Sequence, residues 1–381
     1  MKALPLLVGA LGLVVGVMVG TLPSVFSADA APTPVTMTCS RPVLDVATGQ
    51  PVAIGGIPWY AEMGDTVWSH EWQGQPRYQF GNRRYHYVGG VAGPNRTFIV
   101  EDCTQQPAPA GGAAPAPQVT RLASDTYVFS HTGYTTVFIV TDQGVILGDP
   151  IGLNRARLLK AAIEAVTPLP VRYVVYSHDH ADHNTGGVVF QDTAQFVSHS
   201  LAAPKIAARN DPNSPVPSIT FDDRMTLRLG RTSVELVFTG RNHSDNSIVL
   251  LYPARRLAFA VDFVPINGLP FRTLGDTYVA EWLDSLRQIE AMNIDTIVPG
   301  HGNPGPKAYA TQTREYFQDL VRAIDDAEKR GLSPQSPAMT SSVRAALNPK
   351  YGTWDAFGPY LPENIMGIYD NWKQFGRFGV N

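Results

Sequence analysis

Ser177-His178-Asp179-His180-Ala181-Asp182-His183-Asn184-Thr185-Gly186-Gly187 follows directly on the apolar run Val174-Val175-Tyr176. The run reads as a buried strand, and the polar stretch as what emerges from its end. Residues i and i+2 of an extended segment point the same way, so His178 and His180 can grip one ion. Asp182 and His183, one turn further on, face a second position. Four ligand-type side chains so close together suit neither a core nor a solvated loop, whereas imidazole and carboxylate are metal-ligand chemistry.

Ligand types recur at the same kind of place further along. His243, in Gly240-Arg241-Asn242-His243-Ser244, follows the strand-like run 234–238, and His301, in Val298-Pro299-Gly300-His301-Gly302, follows 296–298. Asp262 ends the apolar run Ala258-Phe259-Ala260-Val261. A lone His after a strand is usually structural, and a lone Asp there is usually a turn former. Together they repeat one position, the strand end where α/β folds build their sites. Other strand-like runs are read at 126–130, 136–141, 145–147, 194–197, 225–229 and 248–251, with Gly144-Val145-Ile146-Leu147-Gly148-Asp149 ending on an acidic turn. Leu158, Leu159, Ala162, Ile163 and Val166 have helical spacing, and helices are also read at 280–292 and 307–329. The segment 119–330 is thus expected to be one layered α/β domain, followed at 331–381 by a helical extension with short helices near 342–347 and 365–375.

HisxHisxAspHis, GlyxxHisSer about 60 residues on, Asp in a hydrophobic strand and ProGlyHisGly together resemble the metallo-β-lactamase superfamily, from Val119 to about Lys329. The resemblance implies a four-layer αβ/βα sandwich with the site along one edge between the sheets. It implies a first metal on His178, His180 and His243 and a second on Asp182, His183 and His301, with Asp262 bridging. Two zinc ions are the expected cofactor. A metal-bound hydroxide would cleave a carbonyl ester, lactone, thioester or amide, a β-lactam among them, with Asp182 as the catalytic group that orients the hydroxide and moves a proton. The alternatives are a mononuclear iron enzyme that oxidises persulfides and a non-catalytic metal-binding protein of the same fold. Where the family often reads HisxHisxAspHisxGlyGly, this chain has one extra residue, Asn184-Thr185 before Gly186-Gly187, which is expected to alter the loop behind the ligands but removes none. Phe271, Arg272 and Tyr278 are candidate substrate contacts, equally readable as packing.

The rest of the 381-residue chain is read from composition. With 44% hydrophobic and 17% charged residues it is neither disordered nor fibrous. A formal charge of −3 and no basic stripe argue against nucleic acid as partner and for a small-molecule substrate. Residues 1–31, with Lys2, an apolar run and Ser27-Ala28-Asp29-Ala30-Ala31, read as a cleavable export signal, an uncleaved anchor being the alternative. The mature protein is therefore expected outside the cytoplasm, periplasmic or secreted, with no stable membrane insertion. Residues 32–103, rich in Trp, Tyr, Gly and Pro, read as a small β module whose aromatics form its core or a ligand face. Cys39 and Cys103, the only cysteines, read as a disulfide staple in an oxidising compartment. The Pro/Ala/Gly stretch 104–118 reads as a linker.

Overall fold

The computed structural model describes residues 116–380 throughout and, before them, the backbone of eight strands. These are β1 (Pro34–Cys39), β2 (Leu44–Asp45), β3 (Ala53–Ile54), β4 (Ile57–Pro58), β5 (Val67–Trp72), β6 (Gln75–Phe80), β7 (Phe98–Ile99) and β8 (Cys103–Pro107). They form a four-stranded sheet in the order β6-β5-β1-β8 and two small pairs, β2-β7 and β3-β4. Strand β8 runs four residues into the stretch read as linker. The sequence reading at 1–31 lies outside the described residues.

The first large sheet holds β9 (Gln118–Arg121), β10 (Thr126–His131), β11 (Tyr134–Val140), β12 (Val145–Leu147), β13 (Val171–Val175), β14 (Gln195–His199) and β15 (Ile219–Phe221). Its order is β15-β14-β13-β12-β11-β10-β9, antiparallel from β9 to β12 and parallel from β12 to β15. The second holds β16 (Arg224–Leu229), β17 (Thr232–Phe238), β18 (Ile248–Tyr252), β19 (Leu257–Ala260), β20 (Thr296–Val298) and β21 (Gly305–Pro306), paired in sequence order.

Side-chain alternation decides how the sheets stack. Val137 and Ile139 of β11 enter one apolar cluster with Leu236, Ile248, Leu250 and Phe259 of the second sheet, while Phe138 between them faces a different one. The two sheets therefore pack face to face. Phe138, Leu147 and Val174 on the outer face of the first sheet meet α1 (Leu153–Val166) through Leu159 and Ile163, and α3 (Ala202–Arg209) through Ala202 and Ile206. Val249, Ala258 and Ile297 on the outer face of the second sheet meet α4 (Val279–Ala291) and α5 (Ala308–Lys329). The order helix, sheet, sheet, helix is the expected four-layer αβ/βα sandwich.

The C-terminal segment departs from its sequence reading. Instead of two short helices it forms α6 (Pro337–Tyr351) and α7 (Phe357–Phe375). Pro337 occupies the first turn of α6, where a missing N–H costs nothing, and Ser336 caps it by accepting from the Met339 N–H. Val343, Leu347, Leu361, Ile365 and Ile368 join the same cluster as Trp282 and Phe317. The segment is thus part of the second helical layer rather than an appendage to it.

Candidate metal centre

Four strand ends meet at one edge of the sandwich. Strand β13 delivers His178 and His180, then α2 (Ala181–Asn184), a single turn with His180 at its N-cap that carries Asp182 and His183. Strands β17, β19 and β20 deliver His243, Asp262 and His301. All seven residues singled out from the sequence come together here, in two sets. One is His178, His180, His243 and Asp262, the other Asp182, His183 and His301, with the ligand-type atoms of each set within 4.8 Å of one another.

Asp262 lies between the sets. Its Oδ2 is 2.9 Å from His183 Nε2, 3.6 Å from His243 Nε2 and 3.8 Å from His178 Nε2, and its Oδ1 is 3.6 Å from His301 Nε2. Asp182 Oδ2 lies 3.5 Å from His183 Nε2 and 3.7 Å from His301 Nε2, and His180 Nδ1 is 3.2 Å from His243 Nε2. Donors bound to one tetrahedral ion at about 2.0–2.1 Å stand roughly 3.3 Å apart, close to this spacing. His178 Nε2, His183 Nε2 and Asp262 Oδ1 are buried without a hydrogen-bond partner. Buried polar atoms are normally satisfied, so atoms aimed inward at one another and left unpaired fit a cation.

In His178 and His180 the second ring nitrogen is tied elsewhere, which fixes the orientation of those rings. Ser177 Oγ donates to Asp149 Oδ2 (2.6 Å) and so accepts from His178 Nδ1 (2.8 Å), leaving Nε2 of His178 unprotonated and facing inward. Asp149, itself fully buried, also accepts from the Ser177 N–H and approaches His183 Nδ1 at 3.2 Å. His180 Nε2 pairs with Asp276 Oδ2 at 2.6 Å. The extra residue in the histidine motif is used here too: the buried Asn184 side chain donates to the carbonyls of His178 and His180 and accepts from Arg209. It braces the ligand turn from behind.

Electrostatics point the same way. Burial opposes charge on every one of these groups. For His178 it prevails, and with neighbouring His180 and His183 it holds the ring well below the usual imidazole range. His243 is lowered by burial and by His180. For His183 burial is outweighed by Asp262 and Asp182, which push it well above that range, and Asp276 lifts His180 to about 9 against burial. Against the same penalty, His183 and His301 hold Asp182 down to about 2 and Asp262 well below the carboxylate range. Two carboxylates stay ionised because protons on imidazoles compensate them. A bound cation can take over that compensation and release the protons.

Of the sites read from the sequence, the substrate contacts are the ones not drawn to the cluster. Phe271 is 56% exposed and packs edge-on against Tyr360, with Arg272 near both rings. Tyr278 packs on Arg241 and Phe375. Sequence reading missed Tyr134 and Asp276, noted Asn184 only as a change in the loop behind the cluster, and gave Asp149 no role at the site. Asp149 had a signal, an acidic residue ending an apolar strand; Asp276 had none.

Residues 131–301 match the metallo-β-lactamase superfamily. The chain is 29% identical over 172 residues to the 2,4-dinitroanisole O-demethylase subunit alpha of a Nocardioides species, covering 44% of this chain and 52% of that one. The chain thus spans about half the length of that relative. It is 27% identical over 218 residues to a type 2 metallo-β-lactamase of a Bacillus species, covering 52% of this chain and 82% of that one. Among solved structures, a metallo-β-lactamase from Pontibacter korlensis aligns with 23% identity and a TM-score of 0.47, over 53% of this chain and 99% of that one.

Proposed function

We propose that this protein is a zinc-dependent hydrolase that binds two ions and cleaves a small carbonyl ester, lactone, thioester or amide. The observation that carries the reading is the pair of ligand sets sharing Asp262, with inward-facing nitrogens left unpartnered. Zinc in such a site lowers the pKa of a coordinated water to about 7 and polarises a carbonyl. The chain's own residues then divide the work. His178 and His183 are fully buried, while Asp182 and His301 are partly exposed, so substrate approaches over the second set. Asp182, ionised and facing that opening, orients the attacking water and accepts its proton, to be passed to the leaving group.

A carboxylate at Asp262 that spans both sets favours compact ester or lactone carbonyls over β-lactams. The relatives named above include β-lactamases and a demethylase subunit, so the superfamily by itself supports no single substrate. The N-terminal sequence supports export, in which case the register of β1 on β8, with Cys39 opposite Cys103, favours a disulfide between them.

The test is metal analysis of the purified protein together with lactone, thioester, β-lactam and phosphodiester substrates assayed on one zinc-loaded preparation. The expected result is close to two equivalents of zinc, with lactone or ester kcat/KM at least about tenfold above that for β-lactams, a difference of about 1.4 kcal/mol. A single iron with oxygen uptake would overturn the hydrolase reading. Efficient β-lactam turnover without lactonase or esterase activity would overturn the substrate preference alone.

A further inference from the structure

Tyr134 is a polar aromatic at the metal centre to which the proposed reaction assigns no task. It opens β11 directly after a two-residue hairpin turn in which Thr132 and Gly133 both have positive φ, 50° and 81°. Such a turn matches the twist of the strands it joins and leaves the hairpin tip little freedom. That tip is stitched to the loop carrying His301. The Thr135 N–H donates to Gly300 O at 2.8 Å, the Gly302 N–H to Gly133 O at 3.1 Å and the Thr135 hydroxyl to Gly302 O, and Tyr134 forms an antiparallel bridge with His301 itself. A hairpin of the first sheet is thereby fastened to a ligand loop of the second.

The side chain completes the pattern. The Tyr134 ring lies 4.5 Å from the His301 ring and 6.1 Å from the His183 ring, centre to centre, and its hydroxyl donates to Asp182 Oδ2 at 3.4 Å. These are the three members of the second set. The ring is itself held by Arg155 of α1, whose guanidinium sits 3.7 Å from the ring centre. Arg155 is in turn anchored to the hairpin turn through Thr132 Oγ1 (2.9 Å) and to Ile151 O (3.3 Å). A cation over an aromatic face is attracted to it, so the ring cannot swing away without losing that contact. His301 and Asp182 are the most exposed of the seven, 46% and 35% against 26% for His180, and need an external constraint on their rotamers more than the buried ones do.

We propose that Tyr134 is a positioning residue for the second metal position: its ring fixes the imidazole of His301 and its hydroxyl fixes the carboxylate of Asp182. It thereby sets the affinity of that position separately from the first. The inference rests on the two-ion reading above. It also gives Arg155 a task, since removing that guanidinium releases the ring.

The experiment is titration of the metal-free full chain with Co2+, read by visible absorption and by chelator competition. The wild type, Tyr134→Phe, Tyr134→Leu and His301→Ala are compared, the last to mark which spectral component belongs to the second position. Tyr134→Phe keeps the ring and is expected to weaken only that component, by about tenfold, and Tyr134→Leu by about 100-fold, the span seen when groups supporting a ligand are removed. The first component should stay within about twofold of wild type, well inside the tenfold effect expected of a lost supporting group. Unchanged binding at both positions in Tyr134→Phe and Tyr134→Leu would overturn the proposal, as would a parallel fall at both. In those cases the wild type still takes two ions and the hydrolase reading stands. A wild type that takes only one ion would overturn the two-ion reading and this proposal together.

Discussion

Asp262 has φ 64° and is the centre of a tight turn closed by the Phe263 N–H on Val261 O at 2.8 Å. A three-residue turn with positive φ at its centre is rare and strained. Here it aims one carboxylate at both ligand sets, a task that an extended backbone continuing β19 would not perform. Asp182 is the unstrained counterpart, sitting in the first turn of α2 with its charge held by His183 and His301. Asp182→Asn should therefore leave the fold unchanged by circular dichroism, because no main-chain group depends on the side chain. The amide can neither accept a proton nor compensate a cation, so kcat should fall by at least about 100-fold, as for loss of a general base. Turnover near that of the wild type would assign the proton to another group. The seven clustered residues were legible in the sequence because polar side chains at the ends of apolar strands stand out against their surroundings. Tyr134 and Asp276 were not, since their meaning arises only from contact across the chain: Asp276 is 96 positions from His180.

The loop between Asp262 and α4 shows the same effect for a whole element. It carries positive φ at Asn267, Arg272 and Leu274 and ends beside Asp276, which holds His180. Helix α7 supports it from outside. Asn364 donates to Pro270 O (3.0 Å) and Arg272 O (2.6 Å) and accepts from Tyr316 (2.8 Å), while Asn371 accepts from the Val279 N–H (2.9 Å). Gly367 lets the loop approach so closely that a Cβ there would stand 2.4 Å from Thr273 O and 2.9 Å from Leu274 Cβ. Gly367→Ala should push the loop off the helix and cost about 1–3 kcal/mol, the usual range for overpacking. Because Asp276 moves with the loop, metal affinity at the His180 set should fall while the Asp182 set is spared. Calorimetry combined with Co2+ titration checks both parts, and a lowered Tm with affinities equal to wild type would break the link from α7 to His180. Hydrophobic spacing marked helical structure in 331–381 but not its extent, since Pro349 and Pro362 lie inside the helices and read locally as breaks. What the segment supports could not be read at all, because only the folded chain brings Asn364 to Pro270.

At the scale of the whole molecule, the centre exists only where both sheets are assembled. Strand β13 of the first sheet brings four of the seven clustered residues, and β17, β19 and β20 of the second bring the rest. Strand-like and helical runs along 119–330 made a layered α/β domain legible, and the four-layer sandwich followed from the resemblance carried by the histidine motifs, while the N-terminal region offered little beyond composition. There the backbone adds one relation: β1 pairs antiparallel with β8 so that Cys39 faces Cys103. Directly opposed residues of such a pair have Cα atoms about 4.5–5.5 Å apart, inside the range a disulfide needs. In protein recovered from an oxidising compartment the free-thiol count should be zero under denaturing conditions. Reduction should then lower the stability of the β1–β8 sheet by about 2–5 kcal/mol, as for a native bridge in a small exported module, and leave zinc content and turnover unchanged. The ligand sets lie wholly within 178–301 and contain no cysteine, so a reductant has no ligand thiol to act on. Two free thiols in natively exported protein would refute the bridge. Zinc loss on mild reduction would instead show that the N-terminal module and the metal centre are energetically one unit, despite the Pro/Ala/Gly-rich sequence between them.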